Sequence, residues 1–181
     1  MNKHNFSLPL LPKSIISALF FLFLSATGVA QNTDGPNLPD VGADLTGNGT
    51  VAWSFPTRIT LSDDSRATAT LDNRQISNYL KGTSYGFAIP TNATILGIQV
   101  TIGRRASSTN CIYDNQVKLV KNNIITGSNY AVSLTPWPKT ETDYSYGGPS
   151  DLWGTTWSPA DINNVNFGAV VAASSTASNS Q

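Results

Sequence analysis

The chain has a single histidine, His4, and a single methionine, Met1, both in its first thirty residues. From Gln31 onward there is no imidazole, which excludes Ser-His-Asp and Cys-His catalysis and removes histidine as a ligand for zinc, copper or iron. Cys111 is the only cysteine, so no disulfide can form within the chain, and stability must come from a hydrophobic core. Cys111 itself reads as a buried or inert thiol, with pairing to another chain as the alternative. Glu141 is the only glutamate, so any carboxylate chemistry would fall to aspartates. Charge is sparse: beyond residue 30, nine basic side chains face eleven acidic ones, without blocks of one sign. That balance speaks against a nucleic-acid face or a polybasic membrane patch.

Long apolar runs are missing as well, except near the start. Lys3, His4 and Lys13 precede the apolar run Ile15–Leu24, and Gly28 and Ala30 then stand at the −3 and −1 positions of a signal-peptidase site. The run is shorter than the ~20 residues that span a bilayer. Residues 1–30 are therefore expected to be a cleaved signal peptide. The protein is expected to be secreted or displayed at the cell surface, with no stable membrane insertion after cleavage.

What is present is a β pattern. Residues 31–50 are rich in Gly, Pro, Asn and Asp and read as a flexible N-terminal arm. Beyond them come short runs of β-branched and aromatic residues separated by turns. Val51–Phe55, Arg58–Leu61, Arg66–Leu71, Ser84–Ile89, Ala131–Leu134 and Asn166–Ala172 are candidate strands. The clearest is Ile95–Arg104, where Ile98, Val100 and Ile102 alternate with Gln99, Thr101 and Gly103. Gln116–Val120 and Ile124–Thr126 flank Asn122-Asn123, a pair suited to a tight hairpin because Asn tolerates positive φ. Two places look helical: Ser77–Leu80 as a single turn, and Ser158-Pro159-Ala160-Asp161, with a capping serine, proline at the first position and an acid at the third. The expected fold is an all-β antiparallel sandwich over 51–181, jelly-roll-like, with one short helical turn near 159–163. Ala172–Gln181 resembles a loop leading to a missing strand, so the chain is expected to be truncated at its C-terminus.

Two segments carry a family resemblance. One is Ser77-Asn78-Tyr79-Leu80 with Tyr85–Pro90 and Ala93–Ile98. The other is Ser150-Asp151-Leu152-Trp153-Gly154-Thr155-Thr156-Trp157-Ser158-Pro159-Ala160-Asp161-Ile162-Asn163, followed by Asn166-Phe167-Gly168. Together they resemble an uncharacterised β-sandwich module of secreted bacterial and phage-associated proteins, over about Trp53 to Ala172. The resemblance implies a module within a larger protein and brings no catalytic residues with it. Members of that module end in a further alternating strand, which this chain lacks.

Candidate sites follow from residue chemistry. Trp137, Tyr144 and Tyr146, among loops shaped by prolines and glycines, offer flat, low-entropy contact area for a polysaccharide or a surface protein, and they are expected to be exposed. Trp153 and Trp157, beside the Ser158 cap, are expected to be structural. Asp63 and Asp64, with Asp72 or Asp114, could supply oxygens to calcium, although turn-forming aspartates are the commoner case. An acid/base pair drawn from Asp114, Asp143, Asp151 and Asp161 would be needed for a glycoside hydrolase, and no such site can be assembled from the sequence. The expected role is a non-catalytic extracellular structural or adhesive module, with carbohydrate binding through the loop aromatics as the alternative.

Overall fold

A computed structural model describes residues 32–176; the proposed signal peptide and the last five residues lie outside them. The fold is all-β and sandwich-like, with antiparallel pairing throughout both sheets. The strands are β1 (Val41–Leu45), β2 (Tyr79–Thr83), β3 (Ile98–Arg104), β4 (Ile112–Lys121), β5 (Ile124–Thr126), β6 (Thr142–Gly148) and β7 (Gly168–Ser175). Five of them form one sheet in the order β1-β2-β7-β4-β5, and β3 and β6 form the second.

Three local expectations hold. In β3, Ile98, Val100 and Ile102 are half-buried while Gln99, Thr101 and Gly103 are exposed. Asn122 and Asn123 both adopt positive φ, 49° and 65°, and close the β4–β5 hairpin. The turn α1 (Pro159–Ile162) carries a full capping box: Ser158 Oγ accepts from the Asp161 amide, and the Asp161 carboxylate accepts from the Ser158 amide. It buries Pro159 and Ile162.

Other boundaries differ. The expected arm contains β1, whose five residues pair in register with β2 from Val41↔Thr83 to Leu45↔Tyr79. Val51–Phe55 makes only isolated bridges, Val51 to Ser77 and Ser54 to Thr68, because the 3-10 turn Pro56–Thr60 follows at once. That turn replaces the expected strand at Arg58–Leu61, and Arg66–Leu71 retains only the Thr68 bridge. Of the expected helical turn at Ser77–Leu80, Tyr79 and Leu80 instead open β2 and Ser77 makes an isolated bridge to Val51, and the expected strands Ser84–Ile89 and Ala131–Leu134 are loops. Thr142–Gly148, read as loop because of its glycines, pairs with β3 along its whole length. Ala172 onward, expected to be loop, continues β7 to Ser175, and β7 is the central strand between β2 and β4.

The core lies between the sheets. Leu80, Val117, Leu119, Ala169, Val171 and Ala173 face it from the larger sheet, and Ile98, Val100, Ile102, Tyr144 and Tyr146 pack against them from the smaller. Val100 sits directly opposite Tyr146, and Ile102 opposite Tyr144, so the cross-strand pairs that stabilise this two-stranded sheet are aromatic with β-branched. All four tryptophans join the core. Trp153 is fully buried and donates Nε1–H to the Ile98 carbonyl at 2.8 Å, and Trp157 meets Phe167 edge-on at 5.5 Å. Truncating any one of these indoles would cost about 3–5 kcal/mol.

Candidate functional site

Charged and aromatic side chains converge at one place, the end of β3 against the start of β4. Arg104 ends β3 in the inward phase set by Ile98, Val100 and Ile102 and is 2% exposed. A buried guanidinium requires a counter-charge. Asp114, 1% exposed, supplies it, with Arg104 Nη1 donating to Oδ1. Asp114 reaches this position through a bulge in β4 between Asp114 and Gln116. The extra residue, Asn115, is held in place as its carbonyl accepts from Asn129 Nδ2, while Asn129 Oδ1 accepts from the Val117 amide at 2.8 Å. Bulges re-aim side chains in this way.

Asp114 is the hub of the network. Its Oδ1 also accepts from Trp137 Nε1 at 2.7 Å, and its Oδ2 accepts from the Tyr146 hydroxyl at 2.9 Å and the Val132 amide at 3.0 Å. Burial and the neighbouring Asp114 charge push the Tyr146 hydroxyl well above the ordinary phenol range, against the opposing pull of Arg104. Nε and Nη2 of Arg104 have no protein acceptor, but its guanidinium carbon lies 3.6 Å from the centre of the Tyr144 ring. The negative ring face takes the place of an acceptor there.

This geometry corrects the expected exposure of the aromatic candidates. Trp137 is 8% exposed and Tyr146 3%; Tyr144 is half-buried beneath Arg104. The structure does bring the three together, around an internal ion pair. Arg104 was missed among candidate residues, although its place in the alternation of β3 marks it as a charge on an apolar face. Trp153 and Trp157 are structural, as expected.

The aspartates are dispersed. Asp63 Oδ1 accepts from the Ser65 amide at 2.8 Å, a turn-forming role, and Asp64 is fully exposed, 3.8 Å from Arg66. Asp72 lies in another loop, where its carbonyl accepts from the Ser175 hydroxyl. Among the described residues no group of three or more His, Cys, Asp or Glu side chains is placed to hold a metal ion. Asp151 accepts from the Tyr130 hydroxyl at 2.9 Å and the Trp153 amide at 2.7 Å, and the hydrogen bond raises the Tyr130 pKa. Asp143 lies on β6 opposite Gly103. Asp161 caps α1 and pairs with Lys121 Nζ at 2.9 Å. Partial burial pulls its carboxyl upward, but the Ser158 bonds and Lys121 outweigh that and hold it below the ordinary range. Lys121, Ile124, Thr126 and Asp161 line a shallow depression of about 360 Å³ whose charged groups already satisfy each other. Cys111 is half-buried, with Sγ 3.3 Å from the Ser108 carbonyl.

Comparison with known protein families, curated proteins and solved structures finds no match for this chain. No helix among the described residues is long and apolar enough to cross a membrane.

Proposed function

We propose that this chain is a non-catalytic β-sandwich module that acts outside the cytoplasm as a structural or adhesive unit of a larger protein. The observation that carries this reading is the saturation of the Asp114 carboxylate at the buried centre. Asp114 accepts from four donors, and the aromatic rings around it are buried or covered by Arg104. The convergence of charge and rings is thus consumed in joining the two sheets, and Asp63, Asp161 and Asp151 are engaged in a turn, a cap and a tyrosine bond. A module organised this way works through its surface. Export rests on the leader-like residues 1–30, and the β-sandwich module that the sequence resembles supports a place within a larger secreted protein.

The test is retention without turnover. Beads coated with the chain are washed over polysaccharide films and protein-coated surfaces while reducing ends released from the films are measured. The reading expects retention on at least one surface and no release of reducing ends. Hydrolysis of any film, or retention on none, would refute it.

A further inference from the structure

The smaller sheet has two strands, so β3 and β6 are each an edge. Two contacts fix the phase of the ladder between them. The Ile98 carbonyl oxygen lies on the β6 side, 2.4 Å from where a Cβ on Gly147 would stand. Thr101 Oγ1 and Ser145 Oγ meet at 3.1 Å, the close approach of a pair that exchanges no backbone hydrogen bonds. Val100 and Ile102 therefore direct their N–H and C=O groups to β6, and Gln99, Thr101 and Gly103 direct theirs away from it. Among the described residues, none of these outward backbone groups is bonded.

Edge strands are ordinarily guarded by shortness, charge, bulges or proline. The edges of the larger sheet, β1 and β5, have five and three residues. On β6, Asp143 stands among the outward residues and Gly147 departs from strand geometry at φ 69°. β3 has none of these guards. Its seven residues keep unbroken register with β6, without proline or bulge, and its one charge, Arg104, turns inward to Asp114. The core side of β3 is also incompletely covered. Ile98, Val100 and Ile102 are each half-buried, whereas Tyr146 on β6 is 3% exposed. The unguarded edge thus belongs to the narrower sheet, on the strand whose apolar side chains solvent still reaches.

We propose that the free edge of β3 takes up one extended segment of a protein partner as an added strand. Donors and acceptors alternating along an edge are matched by another extended backbone, and this sets the class of ligand. The segment alternates: aliphatic side chains extend the row of Ile98, Val100 and Ile102, and polar ones stand beside Gln99 and Thr101. A whole second copy would have to bring its own five-stranded sheet alongside, whereas a single segment brings only the strand. The inference rests on the adhesive reading and gives it an attachment edge and a partner class.

The experiment uses the full chain and, as probe, an acetylated and amidated peptide copying Ile98–Arg104. Antiparallel pairing centred on Thr101 sets Thr101 against its copy, Gln99 against Gly103 and Val100 against Ile102, so no like charges are opposed. Residue-resolved amide exchange is the readout. In the free chain the Val100 and Ile102 amides should be protected by β6, while those of Gln99, Thr101 and Gly103 exchange quickly. Saturating peptide should slow these three about tenfold or more. Methylating the peptide's edge-facing backbone nitrogens spares its side chains and should weaken binding about tenfold or more. Thr101→Pro removes the central outward N–H without touching the ladder to β6 and should act likewise; the methylated peptide tests the same bonds if that variant does not fold. Absence of binding, equal binding of the methylated peptide, or protection of Asp143, Ser145 and Gly147 instead of β3 would overturn the proposal. If the peptide failed while coated beads still held to a surface, the adhesive reading would stand without this edge.

Discussion

If Asp114 is the hub of the buried network, removing either member of the ion pair will have unequal consequences. In Asp114→Ala, Arg104 is left as a buried, unpaired cation, and breaking a buried pair from one side costs about 3–5 kcal/mol. Trp137 Nε1, the Tyr146 hydroxyl and the Val132 amide also lose their acceptor, and each unsatisfied buried donor costs about 1–3 kcal/mol. These costs overlap, because neighbours in one network do not add in full. A loss of about 5 kcal/mol or more is expected, against a total near 5–15 kcal/mol for a domain. In Arg104→Met the carboxylate keeps three donors, so the loss should sit near the lower end, about 3 kcal/mol.

The double variant Arg104→Met/Asp114→Ala decides between a network and a simple pair. An isolated pair exchanged for apolar groups would be neutral or stabilising. Here three donors remain without an acceptor, so the double variant should still be about 2–4 kcal/mol less stable than the parent. The assay is urea unfolding followed by tryptophan fluorescence, with the slope checked for constancy. Should Asp114→Ala fail to fold, Tyr146→Phe removes one donor and should cost about 1.5–3 kcal/mol, the range for a hydrogen bond to a charged group. A double variant as stable as the parent, or a neutral Tyr146→Phe, would refute the reasoning.

Gly147→Ala should lose about 2–4 kcal/mol in the same assay: φ is 69°, and an added Cβ would lie 2.4 Å from the Ile98 carbonyl oxygen and 2.5 Å from Trp153 Nε1. Ser158→Ala removes the acceptor for the Asp161 amide and should cost about 1 kcal/mol, read as a small drop in Tm. Asp161 titrates below the ordinary carboxylate value of 3.8 in the folded state, so its contribution is present above that pH and lost as acid passes below it; Asp161→Asn should flatten that part of the stability profile. At the alkaline end, burial raises Tyr85 from 10.0 to about 12, so its contribution is present below pH 10 and lost as pH rises to 12. Phenolate absorbance should then show unfolding in that window, and Tyr85→Phe should shift the transition upward.

Features governed by neighbours in sequence were legible. The period of two in β3 and the Asn122-Asn123 turn depend on a few adjacent residues, as does the capping box at Ser158. Features governed by a distant partner were not. Val41–Leu45 has the composition of a linker, and only the exposed edge of β2 makes it a strand. Tyr144 and Tyr146 alternate with polar residues as a strand should, yet the glycines and proline that follow made the segment look like a loop, and β3 supplies the pairing. The site divides along the same line. Arg104 continues the inward phase Ile98, Val100, Ile102, so a buried charge in need of a partner could be read from sequence. Asp114 could not, because the bulge at Asn115 breaks its phase with Val117 and Leu119 and hides which way it points.

The inward turn of the aromatic segment has a geometric cause. Five strands at about 4.8 Å spacing make a sheet roughly 19 Å across, whereas the two strands of the opposing sheet span roughly 5 Å. The smaller sheet therefore cannot cover the larger, and the uncovered part of the core must be closed by large side chains from loops. Trp53, Trp137, Trp153 and Trp157 do this, each less than a tenth exposed and each with its indole N–H bonded to a carbonyl or to Asp114. Rings that look in sequence like a ligand platform are thereby committed to closing the sandwich.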